Sequence, residues 1–320
     1  MINQFLSSFN DGEVLFSKRI FPAIACLSIL SGTVTLSGWI WKNLLARSSL
    51  TDFGAKQGYY CVITGASDGI GRALALEGAK RGFHLVLISR SLSKLQELKT
   101  EIVSKYPTVD VVLIDVDCSD CLKMDENINR IVSAVQSLKI SVLWNNVGVT
   151  TVTPLSLANI SSDEMKRILT VNVEFTTLLT AALIPLFKQQ TIQTVIVNLS
   201  SFLSILPAVN YVPYSSTKAY INQFTSALFC ELEQSNILVT SMRPAHVATT
   251  MSGIKECSLM VPSPETWANC AWNKLGVSVD IVPYLPHAFQ EILANVFPSS
   301  FIRASLRAAI CEPKAKEEKK

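Results

Sequence analysis

Ser201, Tyr214 and Lys218 stand thirteen and then four positions apart, in a stretch that reads as buried strand, loop and amphipathic helix. Residues of these types at this spacing can move a proton. A phenol has an ordinary pKa of about 10 and is a poor acid at neutral pH, but an ammonium group beside it favours the phenolate and lowers that value. Positions i and i+4 share one face of a helix, so the Tyr214 hydroxyl and the Lys218 amine can enter one cleft. Ser201 would complete the group by holding a carbonyl oxygen. Of the seven tyrosines, only Tyr214 has a lysine four residues on.

A second set of residues can hold phosphate. Tyr60-Cys61-Val62-Ile63-Thr64 is apolar and β-branched without polar alternation, which reads as a fully buried strand. Gly65-Ala66-Ser67-Asp68-Gly69-Ile70-Gly71 follows directly. Its glycines permit a tight turn and close backbone approach to a pyrophosphate, and a helix beginning near Gly69 presents its first amides to the phosphate charge. The spacing is G-x-x-x-G-x-G, so the generic dinucleotide fingerprint is not matched; the strand before and the helix after carry the reading. A further buried run from His84 to Ser89 ends at Arg90, nineteen residues past Gly71, where an acid would grip the ribose hydroxyls of NAD. Ser89 and Arg90 instead offer a hydroxyl and a permanent guanidinium, which suit a 2′-phosphate and favour NADPH over NADH.

The elements that must position these groups alternate along the chain. Strands are predicted at 59–64, 84–89, 110–115, 140–144, 192–199 and 236–242. Helices are predicted at 69–81, 91–105 and 125–137, from Ser161 to about Phe187, and from the Tyr214 region to about Leu232. Right-handed crossovers make this an α/β fold with a doubly wound parallel sheet. Ligands then bind beyond the carboxyl ends of the strands, and Gly65, Arg90, Asp115, Asn145, Ser201 and Pro244 all fall there. After Pro244 a loop from Met251 to Pro264 could form a substrate lid, followed by a helix around Glu265 to Lys274. Leu285, Phe289, Ile292, Leu293, Val296 and Phe297 recur at helical spacing, and an apolar, basic stretch from Phe301 to Ile310 follows. Packing against the domain or a dimer partner and contact with a membrane surface are both open for that helix.

Composition narrows the setting. Charged residues make up 17% of the 320, against a usual ~25%. The 22 residues from Ile20 to Trp41 include no charge, enough at ~1.5 Å per residue to cross a ~30 Å hydrocarbon layer. Lys18, Arg19, Lys42 and Arg47 flank that segment on both sides, and Trp39 and Trp41 suit an interface; its serines, threonines and glycines leave an interfacial or protein-packed helix as the alternative. Expected domains are thus a membrane anchor over 1–50, with its helix at about 20–41, a catalytic domain over 51–283 and an amphipathic, charged extension over 284–320. Basic residues are scattered over a net charge of +3, which gives no footprint for nucleic acid. Eight cysteines show no framework pattern, Cys118 and Cys121 lack the second pair a metal site needs, and His84, His246 and His287 read as structural.

Taken together, Thr64-Gly65 through Gly71, Asn145-Asn146-Val147-Gly148, Ser201, Tyr214-x-x-x-Lys218 and Pro244 through Thr249 resemble, in order, the motifs of the short-chain dehydrogenase/reductase family. The resemblance runs from about residue 56 to 283. It implies a Rossmann fold of the short-chain type and four catalytic residues, Ser201, Tyr214, Lys218 and Asn172, the last helping to hold a water beside the lysine. The cofactor set it implies is Gly65, Ser67, Asp68, Gly69, Ile70, Gly71, Ser89, Arg90, Asp115, Asn145, Tyr214, Lys218, Val247 and Thr249, and no metal. Within that set Asp115 would touch the adenine, Thr249 the nicotinamide amide, and the Asn145 motif would stabilise the sheet.

Phe53-Gly54-Ala55-Lys56, Leu87-Ile88-Ser89-Arg90 and Met260-Val261-Pro262-Ser263-Pro264 are further similar to a membrane-bound branch of the family. That branch holds the very-long-chain 3-oxoacyl-CoA reductases of fatty-acid elongation and related 17β-hydroxysteroid dehydrogenases. The likeness implies an endoplasmic reticulum membrane, a cytosolic catalytic domain, a long-chain acyl-CoA substrate, and other elongation enzymes or a second copy as partners. Reduction of a steroid or other lipophilic ketone is the alternative, and a non-catalytic NADP sensor a further one. Val147 and Ala245 depart from the common alanine and glycine, and Glu317 and Glu318 put the terminal lysines out of register for a dilysine retrieval signal.

Overall fold

Alternating apolar strands and amphipathic helices from Tyr60 onward build a seven-stranded parallel sheet in this computed structural model. The structure describes residues 21–297, together with residues 300, 302, 304, 307 and 308. Lys18, Arg19 and Ile20, most of the 301–310 stretch and the terminal residues from Lys316 to Lys320 lie outside the described residues. The chain divides into two units, Met1–Ala46 and Arg47–Lys320.

In the first unit, α1 (Phe21–Ile40) carries no charge and has no buried residue. Its Thr33 and Thr35 hydroxyls donate to the carbonyls of Ile29 and Ser31, both at 2.8 Å. Both threonine hydroxyls are thereby satisfied within the helix, as lipid surroundings would require. A π-helical turn, Trp41–Leu45, continues it, and the run Phe21–Leu45 is long and apolar enough to cross a membrane. The same test is met by Ser162–Lys188, but half of that segment is core.

In the second unit the strands are β1 (Tyr60–Thr64), β2 (His84–Ser89), β3 (Val111–Asp115), β4 (Ile140–Asn145), β5 (Thr194–Leu199), β6 (Ile237–Met242) and β7 (Asp280–Ile281). Their order is β3-β2-β1-β4-β5-β6-β7, so the winding reverses between β1 and β4. Short β7, beside β6, was not foreseen, because two paired residues leave no alternation to read. The helices are α2 (Gly69–Lys80), α3 (Leu92–Lys105), α4 (Met124–Val135), α5 (Ser162–Leu169), α6 (Thr176–Lys188), α7 (Val212–Leu232), α8 (Pro264–Trp272) and α9 (Leu285–Val296).

Strand side chains alternate between faces, and the sheet has a core on each. Cys61, Ile63, Leu85, Leu87, Val142 and Trp144 pack with α2, α3 and α8; Val62, Val86, Ile88, Leu143 and Ile196 pack with α4, α6 and α7. Trp272 of α8 stacks on Phe83 with centroids 5.1 Å apart and donates its indole N–H to Leu74 O at 3.1 Å. Helix α9 is drawn onto this unit by two charges. Buried Arg243, at the end of β6, pairs with Asp280 and with Glu291 of α9. His287 and Ala288 are buried under α9, while Phe289, Leu293 and Val296 on its outer side are exposed.

The helix expected from Ser161 onward is not regular. Between α5 and α6 lies a π-helical stretch, Thr170–Phe175, that contains Asn172. Such insertions in helices mark functional sites more often than not.

Candidate active site

The expected catalytic residues converge where β5 meets the start of α7. Ser201 lies two residues past β5 and caps a short turn, accepting from Leu203 N at 3.1 Å. Tyr214 and Lys218 sit on α7, one turn apart. Two reciprocal bonds pin the helix to the strand end: Lys218 Nζ donates to Leu199 O at 2.8 Å, and Ser200 Oγ donates to Lys218 O at 2.8 Å. A Cβ added at Gly148 would lie 3.2 Å from Lys218 Nζ, so backbone passes directly beside the amine.

The electrostatics differ from expectation at Tyr214. Burial raises its pKa above the ordinary phenol value; the hydrogen bond with Ser201 opposes the shift and nearby Tyr211 adds to it. At rest Lys218 is not bonded to the phenol: its amine is turned onto Leu199 O and lies 5.8 Å from the ring centre. Burial in turn pushes the Lys218 ammonium down to about 8. The phenol therefore rests fully protonated, the state a proton donor needs.

Asn172 is held by three hydrogen bonds. Its amide nitrogen donates to Val149 O at 2.9 Å and Thr217 Oγ1 at 3.0 Å, and its Oδ1 accepts from Val149 N at 2.8 Å. Both amide protons are spent, so the side chain clamps the loop after β4 to α7 and keeps only a lone pair of Oδ1 for a water. Thr217, which donates to Tyr214 O at 2.7 Å, extends that clamp to the tyrosine's backbone.

The glycine loop forms the other wall. Gly65 and Gly69 hold positive φ, +65° and +52°. A Cβ on Gly71 would stand 2.1 Å from Gly65 O, and one on Gly69 would reach 3.3 Å from Thr249 Cγ2 across the gap. Glycine at these positions thus lets the loop fold tightly on itself and come up close against Thr249. Asp68 caps α2 by accepting from Gly69 N at 2.7 Å, Ile70 packs on the core, and Val247 is buried behind Thr249. At the rim, Ser67 Oγ and Ser89 Oγ are 2.7 Å apart, and Arg90 is exposed beside them. The residues fit a dinucleotide: the glycine loop would take the pyrophosphate, and Ser67, Ser89 and Arg90 offer hydroxyls and a guanidinium for a 2′-phosphate. Gly71→Ala forces backbone against backbone, where nothing flexible can yield. NADPH binding, read by cofactor fluorescence, is expected to weaken by roughly a hundredfold, a ~2–3 kcal/mol overpacking effect.

Two residues expected at the cofactor are engaged by protein side chains. Asn145 is buried, and its amide donates to Thr180 Oγ1 and Asn198 Oδ1, each at 2.8 Å, tying β4 to β5 and α6. Its neighbour Asn146 turns the opposite way and donates to Thr64 O at 2.8 Å and Gly65 O at 3.2 Å, bracing the glycine loop. Asp115 pairs outward with Arg130, whose Nη1 also donates to Asp115 O at 2.8 Å. The acid near Arg90 is Asp117. Burial raises its pKa, but hydrogen bonds from Ser119 and the charge of Arg90 outweigh that and lower it. Asp117 and Asn146 were missed as individual residues. The doublet Asn145-Asn146 and the repeat Asp115-x-Asp117 were the available signals.

The stretch after β6 is held from α9. Ala245 N donates to His287 Nδ1 at 3.2 Å, and His287 Nε2 lies 3.2 Å from Met260 O. Buried His287 is a satisfied core histidine, its pKa pushed down to about 4 by desolvation, with the Met260 carbonyl opposing. Ala245, in the place of the usual glycine, keeps its amide bonded.

A glycine-lined gap at the reversal of a parallel sheet, with a serine, a protonated tyrosine and a lysine beside it, defines a nicotinamide-dependent oxidoreductase. The family model described as short chain dehydrogenase matches residues 60–256, and the chain belongs to that family. It is 35% identical over 263 residues to a very-long-chain 3-oxoacyl-CoA reductase of Vanderwaltozyma polyspora, covering 78% of this chain and 75% of that protein. It is 34% identical over 317 residues to a protein of the same description from Caenorhabditis briggsae, covering 93% of this chain and 99% of the relative. A short-chain dehydrogenase from Sphingobium yanoikuyae, solved with NADPH, superposes with a TM-score of 0.62 at 25% identity, over 75% of this chain and 96% of that one.

Proposed function

We propose that this protein reduces very-long-chain 3-oxoacyl-CoA to 3-hydroxyacyl-CoA with NADPH, as the reductase of membrane-bound fatty-acid elongation. The observation that carries the substrate class is likeness to reductases of that description along nearly the whole chain, 93% of it in one case. The catalytic group supplies the chemistry. When bound, NADPH provides the hydride for the 3-keto carbon.

Ser201 holds and orients the keto oxygen. Tyr214 gives its hydroxyl proton to that oxygen as negative charge develops there, so the ketone becomes an alcohol and the phenol a phenolate. Lys218, charged at neutral pH and 5.8 Å from the ring centre, opposes the phenolate charge once it has formed. Asn172 and Thr217 act by fixing the β4 loop and α7 relative to one another. The exposed apolar side chains Met251, Leu259 and Met260 on the lid suit a long acyl chain. Helix α1 suits a membrane anchor, and we assign the protein to the endoplasmic reticulum with the catalytic unit in the cytosol.

Detergent-solubilised full chain should oxidise NADPH on addition of a 3-oxoacyl-CoA. Turnover of a steroid ketone alone would move the substrate class, and cofactor binding without turnover of either would favour a sensor. A chain-length series with each cofactor should show NADPH preferred over NADH. Arg90→Ala is expected to reduce that preference roughly 10- to 100-fold, the scale of a charge-assisted hydrogen bond. An unchanged ratio of kcat/KM values would remove Arg90 from cofactor selection.

A further inference from the structure

Helix α9 reaches the active site through one ring. His287 is fully buried, and its two nitrogens contact two different loops: Nδ1 accepts from Ala245 N at 3.2 Å, and Nε2 meets Met260 O at 3.2 Å. A nitrogen that accepts from an amide carries no proton, so the neutral ring's proton is on Nε2 and is donated to Met260 O. The first loop leads through Val247 to Thr249, which stands close against Gly69 of the glycine loop. The second is the lid, where Ser258 and Val261 bond each other and Ala248 N donates to Pro262 O at 3.0 Å. Tyr284, one turn before His287, packs edge-on to the ring at 4.9 Å and donates its hydroxyl to Leu259 O at 3.0 Å.

We infer that His287, aided by Tyr284, is a positioning residue that sets the cofactor loop and the acyl lid in register with one another. It touches neither reacting atom. The inference deepens the reductase reading above, which assigns those two loops to nicotinamide and acyl chain. A single buried ring bonded to both means that displacement of either loop is felt by the other, and α9 becomes part of the site although it lies some forty residues beyond Pro244.

Shorter and longer amides separate the two arms. In His287→Asn the side-chain oxygen falls where Nδ1 was and can still accept from Ala245 N, but nothing reaches Met260. In His287→Gln the amide nitrogen falls where Nε2 was and can still donate to Met260 O, while Ala245 N is left unpaired. Hydrogen exchange on cofactor-free, detergent-solubilised full chain should show the Ser258 and Val261 amides exchanging roughly tenfold faster in His287→Asn, the scale of one lost hydrogen bond. The Ala245 amide should do so only in His287→Gln. Correspondingly, KM for 3-oxoacyl-CoA should rise roughly tenfold in the Asn variant and Kd for NADPH roughly tenfold in the Gln variant.

Tyr284→Phe removes only the Leu259 bond and should give the lid pattern alone, which keeps the test available should either histidine variant fail to fold. Equal effects of Asn and Gln on both segments, or lid amides unaltered in Tyr284→Phe, would overturn the inference. Should wild-type protein fail to reduce any 3-oxoacyl-CoA, the substrate reading falls while the exchange pattern still decides the role of His287.

Discussion

Tyr214→Phe is expected to keep NADPH affinity within about twofold and to lower kcat by roughly a hundred- to ten-thousandfold, the usual worth of a positioned general acid. The ring, the helix and the Asn172–Thr217 clamp on its backbone all remain, so the variant removes one proton and little else. Burial holds that proton on the phenol at rest, and the Ser201 hydroxyl is aimed at the same oxygen. The measurement is single-turnover NADPH oxidation with a 3-oxoacyl-CoA beside a cofactor-binding titration. Near-normal turnover would end Tyr214's assignment as the acid; lost NADPH binding would show that its role is structural.

Lys218→Met is expected to abolish measurable turnover while making the cofactor-free protein more stable at neutral pH. The ammonium is buried, and its pKa falls from 10.5 to about 8 for that reason. At ~1.36 kcal/mol per pH unit, holding it charged in the fold costs on the order of 3 kcal/mol. Methionine abolishes that cost but leaves Leu199 O without its donor, a loss of about 1–3 kcal/mol, so the net gain is on the order of 1 kcal/mol.

The pH dependence is the sharper test. The folded pKa lies below the unfolded one, so the unfolded chain binds more protons between pH 8 and 10.5, and the lysine's cost is fully present below pH 8 and fades as pH rises through that window. The wild-type protein should therefore gain on the variant by about 3 kcal/mol between pH 7 and 10.5, seen as converging and then crossing denaturation midpoints. A constant difference across that range would mean that Lys218 is not buried as a charge. Converging midpoints would instead mark the side chain as a stability liability kept for its positive charge beside the phenolate.

Much of this site was legible in the chain. Ser201, Tyr214 and Lys218 were identified by spacing, the glycine loop by its strand-before and helix-after setting, and six of the seven strands by runs of buried side chains. These signals are local: helical and strand periods repeat within a few residues, and a loop's conformation follows from the glycines it contains. The π-helical stretch around Asn172 was not legible, since it accompanies a bond between that side chain and Val149, twenty-three residues earlier, which only the fold brings into reach.

Direction, as opposed to position, needed the fold. Asn145 and Asn146 are adjacent, yet strand alternation sends one into the interior toward Asn198 and the other to Gly65. Asp115 and Asp117 have the same parity, so spacing could not choose between them; the turn in which Asp117 accepts from Ser119 N leaves that acid near Arg90 and Asp115 facing Arg130. Residue types and intervals along the chain determined which chemistry could occur and on which sheet. Tertiary packing alone decided that the phenol's pKa shifts up and not down, that the lysine turns to a backbone carbonyl, and that α9 joins the site, because burial and long-range hydrogen bonds belong to segments brought together only by folding.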